Sequence, residues 1–158
     1  MPNINFNSKW REYLWYYAPL ILWIVIIFVA SSNTGSMANT SRIIRPLLLW
    51  LVPDISEISL LIVHGYIRKL AHFVFYFILG FLAARALVST SKTYLRKFWI
   101  LAALALVIIV AVLDETNQSF LASRTSSIYD VLLDTVGGLT AIIICFVGTK
   151  LRKPFYQR

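Results

Sequence analysis

Asp114, Glu115, Asp130 and Asp134 are four of the chain's seven carboxylates, and they stand between stretches made almost entirely of Ile, Leu, Val and Ala. Asp114 and Gln118 are four residues apart, so a helix stacks them on one face with Glu115 beside them. Asp130 and Asp134 have the same spacing. Upstream, Lys69, His72 and Tyr76 follow an i, i+3, i+7 pattern, which again marks one helix face. Carboxylates with a histidine in company can hold Mg²⁺, a hard ion bound through oxygen, while the imidazole serves as general acid or base. Lys69 and Arg124 can instead grip a phosphate or a carboxylate. An internal clasp, in which Lys69 and Arg124 pair with two of the acids and Tyr76 and Gln118 hydrogen-bond the others, fits the same residues without any chemistry.

These groups are set in a chain of 158 residues that is 59% hydrophobic, well above the roughly 45–50% of soluble domains. A membrane-crossing helix needs about 20 mostly apolar residues, and four windows qualify: 13–31, 66–88, 98–113 and 131–149. The expected fold is all-α and integral to the membrane, a bundle of four transmembrane helices over residues 13–149. Residues 1–12 form an N-terminal cytoplasmic segment and residues 150–158 a basic cytoplasmic tail. The first window could be read as a signal peptide, since Lys9 and Arg11 precede it and it ends at Val29-Ala30-Ser31, which loosely fits a small-residue cleavage site. Its full spanning length and the aromatic belt of Trp10, Tyr13, Trp15, Tyr16 and Tyr17 favour an uncleaved anchor.

Charge predicts orientation. With the N-terminus inside, ten of the fifteen Lys and Arg lie on the inner face, and every acid except Glu12 lies on the outer. The net charge of +8 therefore reflects topology and anionic headgroups. Nucleic-acid binding is excluded as a reading because it would need a basic soluble face. The lone Cys145, inside the fourth span, forms no disulfide within the chain and reads as a packing residue.

The first outer connection is long. Residues 43–52, bounded by Arg42 and Pro53, rise only about 15 Å as a helix, too short to cross. A helix lying in the interface, a shallow re-entrant hairpin lidding the bundle, and an ordinary amphipathic surface helix all fit. Asp54 and Glu57 have capping-box spacing and predict a helix start there, with Ile55, Ile58, Leu61 and Ile62 on one face. Gly65 marks a possible bend into the second span, and His64 reads as an isolated interface residue. A helical hairpin, with the loop 119–129 between its arms and Ser126 or Ser127 as cap, brings both acidic pairs to one level. Gly137 and Ala141 are small enough for close approach by the fourth helix. Charged groups do not face lipid, because one near a helix centre costs about 2.5–3.5 kcal/mol even on insertion scales. A wet recess walled by the second to fourth spans, open outward, is the simplest arrangement.

Taken in order, Arg68-Lys69-Leu70-Ala71-His72 with Tyr76 and Gly80, then Asp114-Glu115, Gln118, Arg124, Asp130, Asp134 and Gly138, resemble the signature of VanZ-like membrane proteins. The resemblance covers about residues 20–148 and lies in the set, since no single piece is specific. It departs where Phe75 replaces a common acid, Asn117 a common His, and Ala122-Ser123 a common Pro-Gly. It implies a small protein of the bacterial cytoplasmic membrane, associated with reduced susceptibility to glycopeptides such as teicoplanin.

Three functions are compatible with this picture. A binding protein would hold a membrane lipid headgroup, a cell-wall lipid precursor or a lipoglycopeptide in the recess, through Lys69, His72, Tyr76, Asp114, Glu115, Gln118, Arg124, Asp130 and Asp134. An enzyme acting on a lipid-linked phosphate would use Mg²⁺ on the four acids with His72 as acid or base, although the chain has no phosphatase, nucleophile or HExxH motif. A carrier would normally show repeated halves and broken helices, and neither is present. Binding asks for the fewest coincidences of geometry.

Overall fold

The computed structural model describes residues 6–90, 92–122 and 126–152, with side chains described from Tyr13 to Lys150 within that range. It is an all-α bundle. The long helices are α1 (Phe6–Ser31), α2 (Met37–Leu51), α3 (Glu57–Val88), then a single turn α4 (Thr93–Lys97), α5 (Trp99–Ser119) and α6 (Ile128–Arg152). Four of them, Tyr13–Ser31 within α1, α3, α5 and Ile128–Lys150 within α6, are long and apolar enough to cross a membrane. The end at which α1 and α5 finish is here termed the upper end.

Their exposed surface carries Ile21, Leu22, Ile109, Leu113, Ile143 and Ile144 among many others, a surface suited to lipid and costly to leave in water. The buried core is made of smaller side chains: Ala83 and Ala86 on α3, Ala103, Val107 and Ala111 on α5, and Ala141 and Ile142 on α6, with Leu20 and Ile27 reaching in from α1. Small residues suit a membrane bundle, where packing and not water exclusion holds helices together. The tightest contact joins α3 to α6. A Cβ on Gly80 would stand 2.3 Å from the carbonyl oxygen of Gly138, and one on Gly137 would stand 2.5 Å from that of Phe73. The expectation that Gly137 and Ala141 permit close approach is met, and Gly138 and Gly80 extend it. On the lower half, Trp23 of α1 donates its indole N–H to the Phe75 carbonyl at 2.8 Å and packs its ring against that of Phe75 at 5.2 Å.

Above the bundle, α2 and the first part of α3 form an antiparallel hairpin. Residues 43–52 are indeed helical up to Leu51, but the helix starts earlier, at Met37, where Ser36 accepts the Asn39 amide as cap. Arg45 ties the tip to Glu57 through two hydrogen bonds of 2.9 and 2.5 Å. Three expectations for this region are corrected. The cap of α3 is Ser56, which accepts the Ser59 amide at 3.1 Å, and Asp54 and Ile55 lie in the preceding turn. Gly65 marks no break, because α3 runs unbroken for 32 residues. His64 is fully buried and not isolated: its ring nitrogens meet Thr40 Oγ1 at 2.9 Å and Ser41 Oγ at 3.3 Å. Both hydroxyls also donate to backbone carbonyls, that of Thr40 to Ser36 and that of Ser41 to Met37.

The pairing of His72 with Asp134 and of Gly80 with Gly138 shows α3 and α6 running side by side in the same direction. α3 is the longer, and its first turns overhang α6 by roughly 15 Å at about 1.5 Å per residue. Ile43 is 73% exposed, Trp50 77%, Ile58 73% and Tyr66 70%, so the overhanging hairpin is apolar outward on both arms.

The α5–α6 turn is latched by Glu115, whose Oε2 accepts the Ser127 amide at 2.8 Å. Ser127 fulfils the expected capping role: its carbonyl accepts from Asp130 at 2.9 Å and its hydroxyl from the Tyr129 amide at 3.2 Å. Glu115→Ala is expected to destabilise the protein by about 1–3 kcal/mol, because the Ser127 amide loses its acceptor. Chemical denaturation in mixed micelles checks this, with Thr116→Ala as an exposed control.

Candidate functional site

Asp114 comes from the last turns of α5, where the apolar run gives way to polar residues. It is fully buried. Its Oδ2 accepts the Ser31 hydroxyl at 2.8 Å and the Gln118 amide nitrogen at 3.2 Å, and the same nitrogen lies 3.4 Å from Ser31 Oγ. Ser31 is the final residue of α1, so the first span contributes to the site as well as the three expected ones. Its polarity at the end of an apolar run was the available signal.

Asp134, one turn along α6 from Asp130, is also fully buried. His72 Nδ1 stands 3.3 Å from Asp134 Oδ1 and 3.4 Å from Oδ2. Tyr76, one turn below His72, is buried with its hydroxyl beside the Asp114 carboxylate. Asp114 Oδ1 and Asp134 Oδ1 are buried without a hydrogen bond of normal geometry. Among the described residues, His72, Asp114 and Asp134 offer donor atoms that all lie within 4.8 Å of one another.

The remaining candidates divide. Glu115 is buried but turned to the start of α6, as described. Asp130 is half-buried on the first turn of α6 and lies in the field of Arg68 without joining the convergent group. A four-carboxylate ion site is therefore not what the fold builds. Lys69 is exposed and lies with Phe73 and Leu133 on the outer side of α3. The stripe that includes His72 and Tyr76 is broader than i, i+3, i+7, and on it Arg68, four residues before His72, points inward where Lys69 does not. Arg124 falls outside the described residues.

Arg68 lines a cavity of about 170 Å³ with Ile27, Ala30, Ala71, His72 and Phe75. Asp114 and Tyr76 form its floor side, and Gly35 and Thr40, at the foot of the hairpin, its upper side. One guanidinium N–H is used on the Gly35 carbonyl at 3.1 Å. The substitution of an acid by Phe75 has a local reason: its ring packs on Trp23 and gives the cavity an apolar wall. Asn117, another departure, is exposed and away from the site.

A small, largely apolar chamber lined by one cation, one imidazole and one buried carboxylate, with Asp134 in contact with that imidazole, can bind a charged group that comes with a lipophilic body. No curated protein matches the chain, and no solved structure does. A family model described as VanZ/LLP1 matches residues 14–149, which takes in all four spans, the hairpin and every residue of the site, and the chain belongs to that family.

Proposed function

We propose that the cavity holds the phosphorylated headgroup of a membrane lipid or of a lipid-linked cell-wall precursor at the outer leaflet. The observation that carries this is the pair of Arg68 and His72 in the lining of a chamber with Ile27, Ala30, Ala71 and Phe75 as apolar walls, where they outnumber the one lining carboxylate, Asp114. Guanidinium matches phosphate in geometry and charge. The apolar walls suit the first carbons of a lipid body. Size narrows the class: about 170 Å³ lies below the roughly 300–1,000 Å³ of pockets for drug-sized ligands. A headgroup fits there and a glycopeptide scaffold does not. Orientation belongs to the same reading, because the excess of Lys and Arg at the opposite end, with Lys92, Arg96, Lys97 and Lys150, favours the upper end as the outer face. An effect on teicoplanin susceptibility, the association of VanZ-like proteins, would then arise through the lipid precursor and not through capture of the drug.

Native mass spectrometry of the purified protein is expected to find one phosphate-bearing lipid class retained. Arg68→Ala should reduce that retention by about 10- to 100-fold, the value of a charge-assisted hydrogen-bond set, while Lys69→Ala leaves it unchanged. No enrichment over bulk lipid in the wild type overturns the reading. Turnover of polyprenyl phosphates by the solubilised protein with added divalent ions would replace binding with catalysis, a reading favoured by the convergence of His72, Asp114 and Asp134.

A further inference from the structure

Asp114 is held in a way that a hydrogen-bonded structural acid does not require. One oxygen, Oδ2, takes the Ser31 hydroxyl and the Gln118 amide, and the buried Oδ1 has no hydrogen bond of normal geometry, with the Tyr76 hydroxyl nearby. Asp134 of α6 and His72 of α3 complete the group: His72 Nδ1 stands 3.3 Å from Asp134 Oδ1, and donor atoms of all three residues lie within 4.8 Å of one another. Two buried carboxylates lie here with a single imidazole, and Arg68 is the only Lys or Arg among the described residues that line the adjoining cavity. Buried charge is tolerated only when it is compensated.

We propose that His72, Asp114 and Asp134 form a site for one divalent transition metal of the zinc class, with its open position turned toward the cavity. The donor set decides the class. Mg²⁺ and Ca²⁺ favour all-oxygen shells, whereas an imidazole with carboxylates suits Zn²⁺ and its neighbours. Three protein ligands and a vacant fourth position are the pattern of zinc sites that accept an exogenous ligand. One pair already has the spacing of two ligands: two atoms each about 2.0–2.1 Å from a tetrahedral ion lie about 3.3–3.4 Å apart, and His72 Nδ1 to Asp134 Oδ1 is 3.3 Å, while Asp114 lies within 4.8 Å of both and would draw in on binding. Ser31 and Gln118 supply the outer-shell hydrogen bonds that orient a ligating carboxylate. The Tyr76 hydroxyl, buried beside Asp114, adds a further polar group to the surroundings of that carboxylate. This deepens the headgroup reading and rests on it in one respect: a phosphate oxygen would take the open position while Arg68 holds a second oxygen.

The test uses full-length protein in detergent, stripped with chelator and titrated with Zn²⁺ and Co²⁺. The wild type is expected to bind one equivalent of Zn²⁺ that survives gel filtration, and its Co²⁺ form to show the intense visible bands of four-coordination, which shift when inorganic phosphate is added. His72→Gln and Asp134→Asn should each weaken binding by at least about 100-fold, and Lys69→Ala should not. A wild type that retains no Zn²⁺ and develops no Co²⁺ bands overturns the proposal, as does full binding by folded His72→Gln. If those variants fail to fold, the wild-type stoichiometry and spectrum decide alone. Arg68-dependent lipid retention without metal would end this proposal and leave the headgroup reading standing; metal uptake without lipid retention would do the reverse.

Discussion

Gly80→Ala is expected to destabilise the bundle by about 3 kcal/mol or more, at the upper end of overpacking costs. Gly65→Ala, the same change earlier on the same helix, is expected to be neutral or to stabilise by about 0.5–1 kcal/mol. The difference lies in what each new methyl meets. At Gly80 it would stand 2.3 Å from the Gly138 carbonyl oxygen and 2.8 Å from the Gly138 Cα, both backbone atoms that no rotamer change can move. α3 and α6 would have to separate, and Val107, already close to Gly138, would lose its seat. At Gly65 nothing lies within 4 Å, and the gain is the better helix propensity of alanine. Fraction folded against SDS or urea in mixed micelles reads both. Equal behaviour of the two variants would mean that α3 and α6 do not meet at their glycines.

His64→Ala is expected to free the α2 hairpin locally, raising amide exchange over residues 37–51 by about 100-fold, equivalent to roughly 3 kcal/mol. His64 is fully buried and bridges Thr40 and Ser41. Its removal leaves a cavity as well as two hydroxyls without their ring partner. The other ties cannot compensate. The Arg45–Glu57 pair is 49% and 64% exposed, where ion pairs contribute about 0–1 kcal/mol, and Arg68 makes only one bond, to Gly35. Exchange in α5 and α6 should stay unchanged, since α2 packs on neither helix. Protection of the hairpin equal to wild type would show that lipid, and not His64, fixes α2.

Much of this molecule was legible in its residues, and the reasons for the rest are specific. Spans are long, uninterrupted signals, so all four were readable from composition alone. Asp114, Gln118, Asp134, His72 and Tyr76 came from helical spacing, which reports a shared face on one helix. What spacing cannot report is which neighbour a face meets. Lys69 and Arg68 are adjacent and both basic, yet the packing of α3 leaves the first on the outer side and puts the second in the lining of the chamber. Glu115 sits beside Asp114 yet serves another helix end, because successive residues on a helix diverge by about 100°. Ser31 and His64 find their partners across 83 and 24 residues respectively, contacts that no local pattern encodes. At Ser56 the competition was between two adequate caps, and the residue next to Glu57 won over the capping-box spacing from Asp54.

The overhang of α3 bears on the membrane around the protein. At about 1.5 Å per residue, the 32 residues of α3 measure roughly 48 Å against a hydrocarbon thickness of about 30 Å, while α5 and α6 are close to matched. Since the protruding part is greasy on its outer faces, the surrounding leaflet must thicken there or the whole molecule must lean. Acyl chain length thereby becomes a control on how firmly the hairpin seats, and the protein should be sensitive to the stretch of the bilayer in which it resides.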